Sequence, residues 1–468
     1  MALASALYSG ISGLGTMGNA MQIIGDNIAN VNTVGFKGST YTFQDLLSQS
    51  TSTMSGTSQV GRGTALGDIY SSFEQGSFES TGNTTDLAIG GQGFFVLREA
   101  ASDNNYYTRA GNFRFDKDGY LINPEGYVVQ GWELDEDAND VGAIDDIMLT
   151  SFTSPPQETD KVRVIVNLDS EGDDNSSGAD TSLSSAWDGD AATPIGESAY
   201  EYQTSMKVYD SLGSTHDVTI YFDRAQTSSA YEFIVTCNPD EDNRTVTATS
   251  HTGLLARGLI EFNSGSGVIT DIDMDLNDGD GTWTAQAEAT DLTDGHFAFT
   301  PAFISGSAMS IELDFGSRYD GTSWVNGSLS TSQFARASTT TFQSANGYGA
   351  GDLQGVNVDV DGILTGTYSN GQLIPLYRVA LAKFNNEQGL FKMGGNLFKA
   401  TLESGDAITN RPGTNGLGSI APNSLEQSNV DMATEFVKMI STQRGFQANS
   451  KIITVTDQML QELINLKR

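Results

Sequence analysis

The sequence predicts a multidomain fold in which N- and C-terminal α-helices form a coiled coil and two mainly β domains lie between them, the outer domain being inserted in the inner one. Three observations predict this fold. Seven-residue apolar repeats occur at both ends, turn and strand signals dominate two segments inside them, and an acidic segment of different composition separates those two segments. The predicted boundaries are 1–36 and 429–468 for the helical domain, 37–70 for an extended connector, 71–150 and 344–428 for the inner β domain, and 151–343 for the outer β domain.

The N-terminal helix is predicted over residues 2–34 by an apolar stripe with alternating steps of four and three residues. The stripe consists of Leu3, Leu7, Gly10, Leu14, Met17, Met21, Ile24, Ile28 and Val31. Asp26 is the single charged side chain before Lys37, so we expect packing partners on several sides of this helix.

Five glycines weaken the same helix: Gly10, Gly13, Gly15, Gly18 and Gly25. Each costs about 1 kcal/mol relative to alanine inside a helix. We therefore expect the segment to be disordered in the free chain and helical after assembly. The alternative is an ordinary buried core helix whose small residues allow close packing.

The segment after this helix is polar and rich in Ser, Thr and Gly, which predicts the extended connector over 37–70. Gly35 is expected to end the helix in a left-handed conformation. Beyond the connector, the apolar run 94–97 predicts a strand, and Asp118-Gly119 and residues 123–126 predict turns. Asp361-Gly362 and Asn370-Gly371 are hairpin signals, so we expect the later segment to complete the antiparallel sheet begun by the earlier one.

The segment between these two is predicted to be an all-β insert. Its strand-like pieces are 162–168, 206–209, 218–222, 233–236, 297–299 and 311–315. Acidic loops rich in Gly and Ser are predicted between them, for example over 171–180 and 271–281.

The C-terminal helix is predicted from an N-cap at Asn429, with Asp431 and Glu435 in its early turns and Lys467-Arg468 at its end. Met432, Met439, Phe446, Ile453 and Leu460 recur at seven-residue intervals, and Phe436 and Leu463 extend the predicted seam. Ile452, Met459 and Leu466 form a second stripe. Because a lone two-stranded coil needs only one stripe, we expect this helix to be buried on more than one side.

Composition and charge exclude several classes of protein. The formal net charge of −35 disfavours nucleic acid as a partner, because phosphates would be repelled. The sequence has no run of eighteen apolar residues that would predict a membrane span. The N-terminus lacks the basic and apolar regions of a signal peptide. Cys237 is the single cysteine, so no intrachain disulfide can form.

The motifs of enzyme chemistry are weak, which predicts no enzymatic activity and no cofactor. His216, His251 and His296 stand far apart in the sequence. Gly90-Gly91-Gly93 lacks the Lys-Ser/Thr of a phosphate loop. The aspartates Asp271, Asp273 and Asp275 alternate as in a calcium loop, but Leu276 occupies the glycine position. We therefore expect no metal site, with a weak cation site of another type as the alternative.

Two long motifs carry a resemblance to a known family. Residues 25–37, with Asn27, Asn30, Asn32, Gly35 and Phe36, closely resemble the N-terminal signature of the bacterial flagellar rod and hook proteins. The C-terminal stretch with Gln443, Arg444 and Asn449 resembles the closing helix of that family. Length and the insert favour the hook branch over the shorter rod subunits, and residues 208–213 followed by 220–222 are similar to a motif of the outer domain in that branch.

The resemblance implies a structural subunit that polymerises with copies of itself into a curved, hollow tube, a universal joint that transmits motor torque to the filament. It implies terminal helices that line the inner tube, and as further partners the rod, the hook cap, the hook–filament junction proteins and the type III export apparatus. The expected location is the extracellular hook, reached without a cleaved signal peptide. A distal-rod-type subunit, a secreted adhesin-like β protein and a secreted hydrolase are the alternatives.

Overall fold

The structure is a computed structural model of the chain. It describes residues 2–53, 56–99, 102, 104–135, 137–150, 152–176, 182–226, 229–288, 290–305 and 307–466, and for residues 2–4, 51–53, 56–58, 463 and 466 the backbone alone. The chain forms two compact units. Unit 1 contains Met1–Phe152 and Leu353–Arg468, and unit 2 contains Thr153–Asp352. The four-part division made from the sequence is a finer statement and stays a prediction.

The N-terminal helix, α1, spans Ala2–Ala29 and is five residues shorter than expected. Its end lies among asparagines that compete for backbone hydrogen bonds. The Asn30 side chain donates to Asp26 O at 3.0 Å, and the backbone then turns, with Thr33 N donating to Asn30 O. Gly35 does adopt the expected left-handed conformation (φ +68°), although it lies beyond the helix. Val31 is therefore outside α1.

The segment predicted as an extended connector is instead folded back on itself. Its strands are β1 Ser39–Asp45, β2 Gln49–Thr53, β3 Gly56–Val60 and β4 Thr64–Ser71. β1 pairs with β4 and β2 pairs with β3, both antiparallel. The sequence is polar, but its many Thr residues favour strands, and pairing satisfies backbone groups that a single extended chain would leave to solvent.

The first half of unit 1 then continues through short strands: β5 Phe78–Ser80, β6 Leu87–Gly90, β7 Phe94–Arg98, β8 Asn105–Thr108, β9 Arg114–Phe115, β10 Leu121–Ile122, β11 Val128–Leu134 and β12 Asp140–Asp146. Both predicted turns are confirmed. Gly119 has φ +88° between β9 and β10, whose register pairs Leu121 with Phe115. Gly126 N donates to Asn123 O at 3.0 Å before β11.

Unit 2 is built from strands with three short 3-10 helices, Ser182–Ala186, Pro239–Glu241 and Thr249–His251, among its described residues. The strands are β13 Thr153–Ser154, β14 Lys161–Asp169, β15 Tyr202–Tyr209, β16 Thr215–Arg224, β17 Ala230–Cys237, β18 Leu254–Phe262, β19 Ile269–Asn277, β20 Trp283–Ala285, β21 Phe297–Phe299, β22 Ile311–Asp314, β23 Ser317–Tyr319, β24 Trp324–Asn326, β25 Ser332–Phe334 and β26 Thr339–Ala345. All six strand-like pieces predicted for the insert are confirmed.

Two sheets of unit 2 enclose its core. Strands β15 to β20 form a consecutive antiparallel sheet, and β14 lies in a second sheet between β22 and β25, with β26 also pairing with β14. Alternate residues of facing strands meet in the core, as the period of two requires; they include Val162, Val164, Val166, Val218, Ile220, Phe222, Phe297 and Phe299. Cys237 belongs to this core, and burial raises the pKa of its thiol to about 12.

The acidic loop predicted over 271–281 is wrong in its first half. Asp271, Asp273 and Asp275 lie on strand β19, where they alternate with buried Ile272 and Met274. A period of two is typical of a strand with one solvent-exposed face and one buried face. The alternating aspartates therefore indicate a strand and not a loop.

The second half of unit 1 contains β27 Gly351–Val358, β28 Ile363–Tyr368, β29 Leu373–Val379, β30 Leu381–Lys383, the 3-10 helix Glu387–Gly389, β31 Phe391–Gly394, β32 Leu397–Lys399, β33 Ile408–Asn410, β34 Ser419–Pro422, β35 Ser424–Glu426 and the helix α2 Met432–Leu466. Asp361-Gly362 and Asn370-Gly371 connect β27, β28 and β29 as predicted. One sheet then combines both halves in the order β27-β28-β29-β11-β7-β8-β32-β31.

The apolar run at β7 lies at the centre of unit 1 and is buried on both faces. Phe95 and Leu97 face a core that includes Leu121 and Val129. Phe94 faces the opposite side, where its ring packs edge-on to Phe398, with 5.7 Å between ring centroids. A strand covered on both faces needs a continuous apolar sequence, which explains why the run is not alternating.

The N-cap of α2 is Asp431 and not Asn429. Thr434 N donates to Asp431 Oδ1 at 2.7 Å, and this hydrogen bond lowers the pKa of the Asp431 carboxyl. Asn429 instead accepts a hydrogen bond from Gly38 N and donates to Ser72 O. The predicted Lys467-Arg468 end lies outside the described residues.

Candidate assembly interface

The two terminal helices pack against each other through glycines. A Cβ atom on Gly13 of α1 would lie 2.6 Å from Asn449 Nδ2 of α2, and one on Gly10 would lie 3.1 Å from Ile453 Cγ1. Gly445 of α2 in turn lies against Met17, whose sulfur would be 3.2 Å from an added Cβ. These glycines therefore allow a close approach of the helices that any larger side chain would disturb.

Another part of the α1 surface is open in the single chain. A Cβ added at Gly15, Gly18 or Gly25 would have no atom within 4 Å. Tyr8 and Ile11, two large apolar side chains of α1, are also exposed. The glycines of α1 thus belong to two groups, one that contacts α2 and one that faces open space.

The buried stripe of α2 is polar, whereas the sequence pattern predicted an apolar one. Among the described side chains of this helix, Glu435, Thr442 and Thr456 are buried, and Asn449 between them is half-buried. They recur every seven residues, like the apolar stripe. The hydroxyls of Thr442 and Thr456 bond to carbonyls one turn earlier in the same helix, Lys438 O and Ile452 O, so their methyl groups can pack.

The predicted apolar seam of α2 is only partly covered within one chain. Met439, Ile453 and Leu460 are half-buried, whereas Met432, Phe436 and Phe446 are 43%, 45% and 42% exposed. Further exposed apolar side chains follow the length of the helix: Val437, Ile440, Ile452, Val455, Met459 and Ile464. The side chain of Leu463 lies outside the described residues. A helix with this much exposed apolar surface has the character of an interaction site.

The predicted seam of α1 is more enclosed. Ile24 is fully buried, and Leu7, Leu14, Met17, Met21, Ile28 and Val31 are half-buried. The side chain of Leu3 lies outside the described residues. Buried positions of α1 that the apolar pattern did not include are Gly13, Thr16, Ala20 and Asn27, and the Thr16 hydroxyl lies 3.1 Å from the hydroxyl of Thr64 on β4.

A buried charge cluster of Lys37, Arg109 and Glu426 joins the two ends of the chain just beyond the helices. Lys37 Nζ lies 2.7 Å from Glu426 Oε1, and Arg109 Nη1 lies 3.5 Å from Glu426 Oε2. Gly76 N also donates to Glu426 Oε1, and Lys37 Nζ donates to Glu74 O. Burial lowers the pKa of both Lys37 and Arg109, and the Glu426 carboxylate partly offsets that effect.

The N-terminal motif folds around this cluster. Asn27 exchanges two hydrogen bonds with the backbone of Ser39, and Gly35 N donates to Glu426 O at 2.7 Å. A Cβ on Gly35 would lie 2.5 Å from Ala110 N, so no other residue fits there. The ring of Phe36 lies 5.7 Å from Lys392 Nζ. The motif is therefore a structural junction.

The remaining motif residues lie outside this junction. Asn30 closes the end of α1, and Asn32 is exposed. On α2, Asn449 contacts α1, whereas Gln443 and Arg444 are exposed. The sequence predicted Asn27 and Gly35 as residues of the motif. It gave no role to Arg109 or Glu426, because their partners are hundreds of residues away in the chain.

Neither a metal centre nor a membrane span is visible in the described part of the chain. There, no three His, Cys, Asp or Glu residues are grouped as metal ligands would be. Neither α1 nor α2, as far as they are described, is apolar enough over a sufficient length to cross a bilayer.

Comparison with known families divides the chain into four matched regions. The family described as flagella basal body rod protein matches residues 7–37, and the flagellar hook protein FlgE/F/G D1 domain matches 88–165. The flagellar basal body protein FlaE D2 domain matches 167–348, and the C-terminal family of the rod FlgEFG proteins matches 421–466. Terminal helices around a mostly β body, with these matches, define an axial subunit of the bacterial flagellum.

Full-length relatives narrow this class. The chain is 34% identical to the flagellar hook protein FlgE of Borreliella burgdorferi and 31% identical to that of Treponema pallidum, over 99% of each chain. It is 29% identical to the FlgE of Escherichia coli over 99% of this chain and 100% of that one. The chain belongs to the flagellar hook protein FlgE family. The expectation of a structural hook subunit is supported, whereas the rod, adhesin and hydrolase alternatives are not favoured.

Proposed function

We propose that the chain assembles with copies of itself into the curved, hollow tube of the flagellar hook and transmits motor torque while bending. The observation that carries the proposal is the apolar surface of α2 left exposed in the single chain, from Met432 to Ile464. Burying such surface against neighbouring copies provides the main driving force for association, at about 25 cal/mol per Å².

In this proposal α1 and α2 form a coiled coil that lines the inner tube, and the predicted seam residues contact neighbouring copies as well as each other. Apolar contacts are short-ranged and need close packing, so this layer resists twist. The acidic, hydrated surfaces of unit 2 can slide past those of neighbouring copies at little energetic cost, which would permit bending. The open glycine face of α1 supports the same arrangement, because it leaves room for another helix.

The proposed partners are those that a subunit of the hook would contact. They are the rod at one end, the hook cap during growth, and the hook–filament junction proteins at the other end. We also propose an extracellular location, reached through the type III export apparatus without a cleaved signal peptide. The glycine-weakened α1 supports this route, since an easily unfolded end suits passage through a narrow channel.

Removal of residues 432–468 tests the assembly role of α2. This truncation keeps Glu426 and Asn429, so the buried charge cluster can still form. We expect a soluble, folded monomer that no longer makes tubes under polymerising conditions, as seen by negative-stain electron microscopy and sedimentation. Tubes formed by the truncated chain would contradict the proposal.

A pair of point variants separates assembly from folding. Met459→Asp places a charge on the exposed apolar surface, whereas Gln458→Asp places it on the exposed polar stripe of Arg444, Lys451, Gln458 and Asn465. We expect both monomers to keep their helix content and only Met459→Asp to lose tube formation. Equal assembly of the two variants would show that this surface is not an interface.

A further inference from the structure

Unit 2 contains a cavity of about 540 Å³ that the proposed assembly role does not explain. Its lining includes Arg163 of β14, His296, Asp314 of β22, and Arg318 with Asn326 on the β23–β24 hairpin. We call it the Arg163 cavity. Cations are scarce in this chain, with 24 Lys and Arg against 59 Asp and Glu, so two arginines at one cavity are an unusual local composition.

Two buried polar atoms at this cavity lack a hydrogen-bond partner in the described part of the chain. One is Nε of Arg163, and the other is Nδ1 of His296, whose residue is 6% exposed. Arg163 Nε lies 3.3 Å from Asp314 Oδ2, but the two form an ion pair without a hydrogen bond. His296 Nδ1 is 3.8 Å from Asp314 Oδ1, which is beyond hydrogen-bond distance. Buried polar atoms are normally satisfied. Arg163 Nε is always a donor and His296 Nδ1 is a donor when the ring is protonated, so the two atoms together favour an anionic acceptor.

One oxygen of each carboxylate at the cavity already accepts hydrogen bonds. Asp314 Oδ1 accepts a hydrogen bond from Gly316 N at 2.6 Å. Asp320 Oδ1 accepts from Thr322 N and Ser323 N within its own turn. Arg163 keeps its position because its Nη2 donates to Leu329 O at 3.2 Å and its guanidinium lies over the ring of Phe342. The cavity therefore combines cations that are held in place with two carboxylates, each of which already accepts hydrogen bonds through its Oδ1 atom.

We propose that the Arg163 cavity binds a carboxylate, and that in the assembled protein this carboxylate is an acidic side chain of a second copy of the chain. An anionic oxygen is an acceptor for the Arg163 guanidinium and for the protonated His296 ring, and charge-assisted hydrogen bonds of this type are about twice as strong as neutral ones. The part that names a second copy rests on the proposed function. A tube holds neighbouring acidic surfaces at an effective concentration in the millimolar range or above, enough for a weak single-carboxylate contact.

Proton uptake gives the proposal a spectroscopic signature. Burial lowers the pKa of His296, with Asp314 and Glu312 acting to raise it and Lys161 and Arg318 acting to lower it. An added carboxylate favours the protonated imidazole, so it raises this pKa and binding takes up a proton. Affinity for a carboxylate should therefore increase as the pH falls towards the lowered pKa of the free site, and then level off.

The first test uses the full-length monomer and the probe N-acetyl-aspartyl methylamide. The chain has three histidines, so its imidazole signals can be resolved by NMR and that of His296 assigned with His296→Gln. We expect the probe to shift the His296 signal and to raise its pKa. Arg318→Gln, at an exposed cavity residue, should weaken this binding about 10-fold, the factor that corresponds to about 1.4 kcal/mol. Arg336→Gln, at an exposed arginine away from the cavity, should leave it unchanged.

The second test measures the critical concentration for tube formation of the same variants. We expect Arg318→Gln to raise it several-fold and Arg336→Gln to have no effect. If the probe shifts no His296 signal, the cavity is not a carboxylate site. If the probe binds but Arg318→Gln assembles like the parent chain, the cavity takes free carboxylates and the second copy is excluded as its occupant. If normal tubes form in either case, the proposed hook function is still supported, because electron microscopy detects tube formation independently of carboxylate binding.

Discussion

At the residue scale, Glu426 supplies the negative charge that balances the cations of the buried charge cluster in unit 1. Two cations, Lys37 and Arg109, share this one carboxylate, and the Lys37 and Glu426 side chains are fully buried. A buried ion pair adds little stability by itself, but removing one partner leaves an uncompensated buried charge. Within the N-terminal motif, Lys37 contacts that carboxylate and Gly35 N donates to the backbone carbonyl of Glu426.

The first prediction concerns Glu426→Gln. We expect it to lower the free energy of unfolding of unit 1 by about 3–5 kcal/mol, because two buried cations lose their counter-ion. The double variant Lys37→Met/Glu426→Gln should recover part of the loss, since one of the stranded charges is removed. Calorimetry of the full-length protein measures both. Glu403→Gln at an exposed site is the control and should leave the transition unchanged; a Glu426→Gln transition equal to that of the control would refute the role of the cluster.

Residue-scale contacts of this type could not be predicted from the sequence. Lys37 and Glu426 are 389 positions apart, and neither has a local pattern that identifies a partner. Gly35 was predictable, because a glycine after a helix signals a left-handed conformation, and its φ of +68° agrees. The end of α1 was not, since the competing hydrogen bonds of Asn30 depend on the turn that follows it.

At the scale of elements, periodicity predicted strands and hairpins well and helix contacts poorly. The Asp361-Gly362 and Asn370-Gly371 hairpins are set by two residues each, so short-range reasoning suffices. The face that α2 turns towards α1 depends on a partner from the other end of the chain. There the close approach at Gly10 and Gly13 places Asn449 of the buried polar stripe against α1, and a search for apolar residues overlooks that stripe.

The two glycine groups of α1 give an element-scale prediction. Gly18→Ala should stabilise α1 by about 1 kcal/mol, because alanine is the better helix former and its Cβ meets no atom within 4 Å. Gly13→Ala should gain nothing, since its Cβ would displace the Asn449 amide. Circular dichroism of thermal unfolding compares them.

Assembly provides the second half of this comparison. If the open face of α1 contacts other copies in the tube, Gly18→Ala should raise the critical concentration for assembly even though it stabilises the helix. Unchanged assembly of Gly18→Ala would place that face outside the interfaces.

At the scale of the whole molecule, the chain leaves and re-enters unit 1 at neighbouring points. Leu353 N donates to Phe152 O at 2.8 Å, so the ends left by removing unit 2 are already adjacent. Each unit has its own apolar core, which is the condition for independent folding.

The last prediction follows from this connection. Replacement of Thr153–Asp352 by a short Gly-Ser linker should leave unit 1 folded and able to form tubes. The reason is that the two residues to be joined, Phe152 and Leu353, are already connected by a backbone hydrogen bond. We expect these tubes to be straighter than those of the full chain, with electron microscopy as the measurement. Normal curvature without unit 2 would place the source of bending in unit 1. Failure to fold, seen by circular dichroism, would contradict the independence of the two units.

The buried charge cluster also constrains the order in which the protein folds. Its closure joins residues 389 positions apart, so Lys37 and Arg109 stay hydrated until the chain has been made as far as Glu426. Contacts of such long sequence separation form late, because the loop entropy must be overcome first. A chain interrupted before β35 would keep two solvated cations and an unanchored N-terminal motif. We therefore expect the first forty residues of a chain that lacks Glu426 to be more mobile than those of the finished subunit.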